Sequence, residues 1–175
     1  MRIAVLSCVL IGVISSSQHA AAQGSVDSLL TEGALYSLYT KRVDNTIALA
    51  NIASTGASDA KVRKAADNLA RQHQDARTRT EGIAREHRFT LALPAHDTSD
   101  VLLAEARRSL EGKTGRVFDS TWASIAHQWL FTLIVDNNRN VKPRVPRDLQ
   151  PVAADLTTWL FHQLPEIDQL GKRFQ

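Results

Sequence analysis

The sequence has a single cysteine, and glycine and proline are few. Cys8 lies in the first apolar stretch of the chain, so the residues after that stretch cannot form a disulfide, a reactive thiol or a thiolate metal site. The 8 glycines and 5 prolines leave long uninterrupted segments. In these segments apolar residues recur every three or four positions, which indicates helices and gives almost no signal for strands. The sequence therefore predicts an all-α protein.

Long apolar runs are also rare, and the one that exists stands near the N-terminus. Arg2 precedes the apolar run 3–14, and the small residues Ala20 and Ala22 follow a short polar stretch. This order is typical of an export signal cleaved after Ala22, and the run is too short to span a bilayer. An alternative is lipidation of Cys8 in "VLSC", which would leave only a few apolar residues before the cut.

The export signal sets the expected domain organisation and location. We expect residues 1–22 to be a signal peptide and residues 23–175 to form a single helical-bundle domain. No second segment is apolar and long enough to cross a membrane. The expected location is therefore the periplasm, and association with the outer membrane is left open.

Neither sign of charge is in large excess. The chain has 21 Lys and Arg against 18 Asp and Glu. The basic residues stand singly or in pairs without interleaved aromatic residues, so the sequence predicts no nucleic-acid partner. The expected partner is an unknown envelope protein or a small ligand. If the partner is a protein, the chain would need an exposed apolar patch, and in that case we would expect the patch on the first helix near Tyr36 and Tyr39.

The motifs of several enzyme classes are absent. No serine stands in a nucleophile elbow, and no glycine-rich loop could hold a phosphate. The Glu-x-x-His motif from which ferritin-like proteins build a di-iron site does not occur. The sequence therefore favours a non-enzymatic protein with a binding or structural role.

Five amphipathic helices are predicted. Four are long, at 26–54, 59–88, 116–137 and 147–172, and a short one at 98–112 lies between the second and third long helices. This arrangement is typical of a four-helix bundle. The expected caps are Ser25 or Asp27 for the start of the first helix, Gly56 for its end, Ser58 or Asp59 for the second helix and Thr98 or Ser99 for the short one. Pro165 is expected to kink or divide the last helix.

The second helix carries a regular seam of residues in alternating steps of four and three: Val62, Ala66, Leu69, His73, Ala76, Thr80, Ile83 and His87. Such a seam is typical of the buried line of a packed helix. His73 and His87 share this face but lie about four turns apart, so one metal ion cannot bind both. We expect His87 and His96 to face solvent.

The order of several short motifs resembles a bacterial family. The motifs are "ALANIASTGAS" (48–58), "VRKAADNLARQHQDA" (62–76), "LALP" (91–94), "SLEGKTGRVFD" (109–119) and "QLPEI" (163–167). In this order and spacing they resemble exported bacterial proteins with a domain of unknown function, often described as outer-membrane or exported proteins. The resemblance implies a ferritin-like four-helix bundle with polar residues at its centre.

Only one of the polar positions implied by the resemblance is kept in register. Members of this family have an acidic residue late in the first helix and an Asp-His pair in the second helix. A second Asp-His pair follows the "FD" motif, and a histidine often follows the final "LP" motif. His73 matches the second-helix histidine, but Gln72 stands where the acid would be. Thr46 falls on or near the acidic position, and His127 lies about one turn early.

His73 therefore has two interpretations. In the one we favour, it is a neutral imidazole in the interior, hydrogen-bonded to Asp44, Asn45 or Thr46 on a facing helix, because a buried polar group needs a partner. In the other, His73 and His127 are ligands of a mononuclear iron, zinc or copper site in a metal-binding ferritin-like protein. A convergence of both histidines with a carboxylate would favour the second interpretation.

Overall fold

The computed structural model of the protein describes residues 29–174, which form five α-helices and no strand. The helices are α1 (Glu32–Gly56), α2 (Ala60–Glu86), α3 (Thr98–Leu110), α4 (Gly115–Asp136) and α5 (Gln150–Lys172). The all-α prediction is confirmed, as is the order of four long helices and one short helix. The predicted signal peptide lies outside the described residues. In the described part, no helix combines the length and apolarity needed to cross a membrane.

The first helix begins later than predicted. Residues 29–31 are not helical, and Thr31 is the residue that caps α1. Its hydroxyl oxygen accepts a hydrogen bond from the Ala34 N–H at 3.2 Å, which satisfies one of the free donors of the first turn. The predicted start at Val26 and the caps expected there lie outside the described residues.

Gly56 has a different role from the predicted cap. It is the last helical residue of α1, and the cap is Ala57 in an extended conformation. A Cβ atom on Gly56 would lie 2.8 Å from the ring of Phe118 in α4. Glycine is therefore needed here because α1 and α4 approach closely, and not because a left-handed turn ends the helix.

The caps of the next two helices were predicted with mixed success. Asp59 caps α2 as expected, by accepting a backbone N–H of its first turn at 2.7 Å. The cap of α3 is Asp97, and neither Thr98 nor Ser99 has this role. Asp97 accepts the Ser99 N–H, and Asp100 in turn accepts the Asp97 N–H, each at 3.0 Å. This reciprocal capping box fixes the start of α3.

The segment between α4 and α5 is more regular than the predicted connector. It forms a π-helical turn (Asn137–Val141) and two short 3₁₀ turns (Lys142–Arg144 and Arg147–Leu149), and α5 begins only after the second of these. Pro165 does not divide α5. It lies on the exposed side of the helix, where the carbonyl group that loses its donor can face water.

The neighbouring long helices run antiparallel around two adjoining hydrophobic clusters, and Leu156 packs against both of them. Between α1 and α4, the Trp122 indole N–H donates to the Leu49 carbonyl at 3.2 Å, and the Trp129 indole N–H donates to Thr46 Oγ1 at 2.8 Å. Along α1 Thr46 comes before Leu49, whereas along α4 its partner Trp129 comes after Trp122. The two helices therefore run in opposite directions. The closest packing is between α1 and α2 and between α4 and α5, while α3 lies across α1 and α4.

Aromatic side chains fill much of the interior. Trp122 and Trp129 are buried, and Trp159 is partly buried against the same core, as the sequence predicts. Tyr36 and Tyr39 are also buried. The apolar patch expected on the first helix near these tyrosines is therefore wrong, because the rings belong to the interior.

Candidate functional site

His73 lies on the buried line of α2, as the seam predicts, and is only 1% exposed. Its Nδ1–H donates to the carbonyl of Leu69, one turn earlier in the same helix, at 2.9 Å. Its ring packs against the indole of Trp159 on α5, with centroids 4.6 Å apart. Burial lowers the pKa of the imidazole to about 4, although the bond to Leu69 acts in the opposite direction. His73 is therefore neutral at neutral pH.

The facing-helix partners predicted for His73 are engaged elsewhere. Asp44 pairs with an arginine of α2 at 3.3 Å, Asn45 donates to two side chains of α3 at 2.9 Å, and Thr46 accepts an indole N–H from α4. The prediction of a hydrogen bond across the helices is wrong. A backbone carbonyl of α2 itself satisfies the imidazole N–H, as is common for donors within one turn of a helical carbonyl.

His127 lies at the surface and not in the interior. Its Nε2 lies 3.0 Å from Asp168 Oδ1 on α5, its ring stacks on Phe131, and its side chain is 45% exposed. On α5, Asp168 lies nine residues after Trp159, the neighbour of His73. Nine residues correspond to about 13 Å along a helix. The structure therefore does not bring His73 and His127 to a common site.

The remaining histidines also do not assemble a metal centre. His87 and His96 are exposed, as predicted. His87 Nδ1 lies 2.7 Å from Glu32 Oε1 at the start of α1. Within residues 29–174, no group of three or more His, Cys, Asp or Glu side chains could hold a metal ion. A protein site for iron, zinc or copper is generally built from three or four such ligands.

A buried ionic network, which the sequence analysis missed, centres on Arg42 of α1. Its guanidinium donates to Asp97 from Nε at 3.2 Å and from Nη2 at 3.0 Å, and also to Asp136 at the end of α4. Arg42 is 5% exposed. Burial raises the pKa of Asp97, but the hydrogen bonds and charge of Arg42, helped by Ser99, hold it below its usual range. The network joins α1 to the start of α3 and the end of α4.

A second buried polar cluster surrounds Asn137 in the π-helical turn. Its Oδ1 accepts the Tyr39 hydroxyl at 3.1 Å, and its Nδ2 donates to the Ala153 carbonyl at 2.9 Å and to Thr157 Oγ1 at 2.6 Å. Burial raises the pKa of Tyr39 above its ordinary value, so its hydroxyl remains a donor. These bonds hold the turn between α1 and α5.

Gln163 is a buried polar residue without such bonds. It lies on the inner side of α5 and is 7% exposed. Neither its Oε1 nor its Nε2 has a hydrogen-bond partner among the described residues. Gln163 lies at the α2–α5 interface, between two contacts of these helices. One contact joins His73 to Trp159, and the other joins Asn68 to Glu166. No protein group among the described residues therefore compensates this amide for its lost hydration.

These buried polar residues could have been predicted from their positions in the helical repeat, but not from their chemical type. Arg42 and Thr46 occupy α1 in the same steps of three and four as the buried apolar residues Leu35, Tyr39, Leu49 and Ala53. Gln163 occupies α5 in the same way, together with Ala153, Thr157, Leu160, Ile167 and Leu170. A search for apolar stripes passes over polar residues at such positions.

An open cleft of about 500 Å³ lies between α4 and the C-terminal half of α5. The ion pair of His127 and Asp168 forms part of its wall. The other lining residues are the hydroxyl side chains Ser120 and Ser124, the apolar Ala123, Ile167 and Phe174, and Lys172 with Gly171. Half-exposed polar groups beside apolar side chains are typical of small-ligand sites. We refer to this feature as the α4–α5 cleft.

Ser124, His127 and Asp168 share this cleft, but they are not arranged for nucleophilic catalysis. His127 directs Nε2 at Asp168, and no hydrogen bond joins it to Ser124 among the described residues. A nucleophile needs its base within hydrogen-bond reach and free donors to stabilise an oxyanion. Both serines lie within α4, where backbone N–H groups are used by the helix itself.

Comparison with known proteins returns no match. No family model matches the chain, and neither does any curated protein or any solved structure. The function of the chain must therefore be inferred from its own residues.

Proposed function

We propose that the protein is an exported protein of the cell envelope that binds a small ligand or a segment of a partner in the α4–α5 cleft, without catalysing a reaction. The observation that carries this proposal is the half-exposed pair of His127 and Asp168 in the wall of an open cleft. Arg42 and Asn137, in contrast, donate hydrogen bonds to groups of neighbouring helices. We therefore assign these buried polar residues to the stability of the fold.

The lining of the cleft suits an amphipathic ligand. The partly exposed Phe174 supplies apolar surface, while His127 and Asp168 can exchange hydrogen bonds with a polar group. The apolar surface continues outward, since Phe131 is 47% exposed one turn beyond His127. A molecule with an apolar body and one hydrogen-bonding or charged group would match both parts.

The proposed location rests on the N-terminal sequence pattern of a positive residue, an apolar run and small residues before Gln23. We further propose a ferritin-like four-helix bundle formed by the four long helices, with α3 as an additional short helix. Their antiparallel packing and the motif order given above support this fold and the family resemblance. Mass spectrometry of the protein from a periplasmic extract tests export, because a chain beginning at Gln23 is expected and an intact N-terminus would contradict it.

Binding in the cleft can be tested by titrating isotope-labelled protein with a library of small amphipathic fragments, followed by NMR. Fragments that bind should shift the resonances of His127, Ile167 and Gly171. The Ser124→Trp variant places an indole in the cleft. It should weaken the binding of these fragments by about tenfold or more, which is equivalent to about 1.4 kcal/mol of binding free energy. Gln74→Trp, on the exposed face of α2, is the matched control. Fragments that bind elsewhere, or equally well to Ser124→Trp, would refute the proposal.

A further inference from the structure

The interface between α2 and α5 contains three polar side chains with unused hydrogen-bonding groups. The buried amide of Gln163 has no partner at Oε1 or Nε2 among the described residues. His73 uses Nδ1 for the Leu69 carbonyl, and within residues 29–174 its Nε2 makes no hydrogen bond. The Trp159 indole N–H also has no partner in the described part of the chain, whereas those of the other two tryptophans each donate to α1. Buried amides and indoles usually find a partner, so this concentration of unused groups points to a ligand.

The three groups lie within about one helical turn of each other. The rings of His73 and Trp159 are in contact, with centroids 4.6 Å apart. Gln163 follows Trp159 by four residues, on the same side of α5 and about 6 Å along the helix. Helical side chains lean toward the N-terminus of their own helix, and α2 and α5 are antiparallel. The imidazole and the amide therefore lean toward each other, and the bond of His73 to the Leu69 carbonyl shows this direction for the imidazole.

The chemistry of these groups selects a neutral ligand. At neutral pH the imidazole of His73 is uncharged, as are the amide and the indole. A charged group buried beside them would have no counter-charge, which is costly in an apolar interior. The imidazole Nε2 accepts a hydrogen bond, the indole donates one, and the Gln163 amide does both. A primary carboxamide also carries both a donor and an acceptor, so it can satisfy all three side chains.

A recess at the surface leads toward this region. It has a volume of about 410 Å³, lies between α2 and α5, and includes Ala65 and Glu166 in its lining. Glu166 comes three residues after Gln163, so the amide lies within about one turn of the recess. Asn68 donates to Glu166 across the interface at 3.0 Å, in an exposed bond that can be exchanged for bonds to water at little net cost. Because α2 and α5 are packed less closely than α1 and α2 or α4 and α5, a small group can enter between them.

We propose that Gln163, His73 and Trp159 form a binding site for a small molecule with a primary carboxamide group and a short apolar body. The surrounding side chains of Ala66, Leu69 and Leu160 belong to the hydrophobic core and suit the apolar body. In the ligand-free protein the amide of Gln163 reduces stability, and a residue that does so at a buried position is typical of a functional site. This site is separate from the α4–α5 cleft and does not depend on a ligand there.

An NMR titration of the full chain, labelled with ¹⁵N, tests the proposal. The probes are a series of primary carboxamides from acetamide to benzamide, together with the corresponding carboxylates from acetate to benzoate. The carboxamides should shift the side-chain N–H resonances of Gln163 and Trp159, and the carboxylates should not. Gln163→Leu should weaken carboxamide binding by about tenfold or more, because it removes a donor and an acceptor. Trp159→Phe keeps a ring against His73 but has no N–H, and it should weaken binding by about fivefold.

The matched control is Gln74→Leu, which removes an exposed amide from α2 and should bind carboxamides like the unmodified protein. Circular dichroism of each variant verifies that it folds. Equal affinity of Gln163→Leu and the unmodified protein, or equal binding of carboxamides and carboxylates, would overturn the proposal. So would a magnetisation transfer from water to the Gln163 amide without binding of any carboxamide, because the site would then hold only an ordered water. The Ser124→Trp variant should bind carboxamides at this site normally, which separates the site from the α4–α5 cleft.

Discussion

The buried imidazole of His73 predicts that the protein loses stability in mildly acidic solution. In the unfolded chain this histidine titrates at its ordinary pKa of 6.5, whereas in the folded protein burial lowers the pKa to about 4. Between these values the unfolded state takes up a proton that the folded state cannot accept. The free energy of unfolding should therefore be at its full value above pH 6.5 and should fall as the pH decreases toward 4.

The size of this effect follows from the difference between the two pKa values. At about 1.4 kcal/mol per pKa unit, His73 should account for a loss of about 3 kcal/mol across this pH range. The loss is large compared with typical domain stabilities of roughly 5–15 kcal/mol. Asp97 acts in a separate range, because a carboxyl whose pKa is held low stabilises the fold above its ordinary pKa of 3.8 and loses this contribution below it.

The measurement is denaturant unfolding, followed by circular dichroism at pH values from 7 down to about 4. The His73→Phe variant keeps a ring against Trp159, but this ring cannot titrate. Between pH 7 and pH 4 its free energy of unfolding should therefore fall by about 3 kcal/mol less than that of the wild type. His96→Phe, which changes an exposed histidine, should retain the wild-type slope. Parallel slopes for wild type and His73→Phe, or an NMR titration of the His73 ring near pH 6.5, would refute the reasoning.

Two further predictions concern the other buried polar groups, and both are measured by denaturant unfolding at neutral pH. Arg42→Met should lower the free energy of unfolding by about 3–5 kcal/mol, because it leaves Asp97 and Asp136 as buried carboxylates without a cation. Lys41→Met, which breaks a more exposed pair, should lower it by less than about 1 kcal/mol, and equal effects would contradict this account. Gln163→Leu should raise the free energy by about 1 kcal/mol, since it removes an enclosed amide without partners, and a destabilised variant would show that the amide is bonded in solution.

The sequence predicted the helices better than the contacts between them. Steps of three and four residues locate each helix and the burial of His73, because that pattern is local. Boundaries were wrong where a specific side chain decides them, as at Thr31 and at Asp97. The role of Gly56 could not be predicted, because it depends on the position of Phe118 in a different helix.

For the polar residues as well, the sequence predicted positions along a helix better than contacts between helices. His73 was recognised because it interrupts a regular apolar seam, but its partner was wrong, since a helical carbonyl one turn away needs no facing helix. In the alternative interpretation His127 would meet His73, but the fold turns His127 toward Asp168. Whether two residues on different helices meet depends on helix rotation and order, which a single sequence without further restraints does not specify.

The distribution of polar groups indicates where the function of this molecule is to be sought. At the end where α4 finishes, Arg42 and Asn137 bind carboxylates, hydroxyls and carbonyls of neighbouring helices, so their hydrogen-bonding capacity holds the fold. Toward the end where α5 finishes, the polar groups of His127 and Asp168 are half exposed and form part of the wall of the α4–α5 cleft. Buried groups must break their bonds within the protein to meet a ligand, whereas the half-exposed His127 and Asp168, although paired with each other, still have polar surface in contact with water. Ligand and partner binding should therefore concentrate around the C-terminal half of α5, and variants there should change binding more than stability.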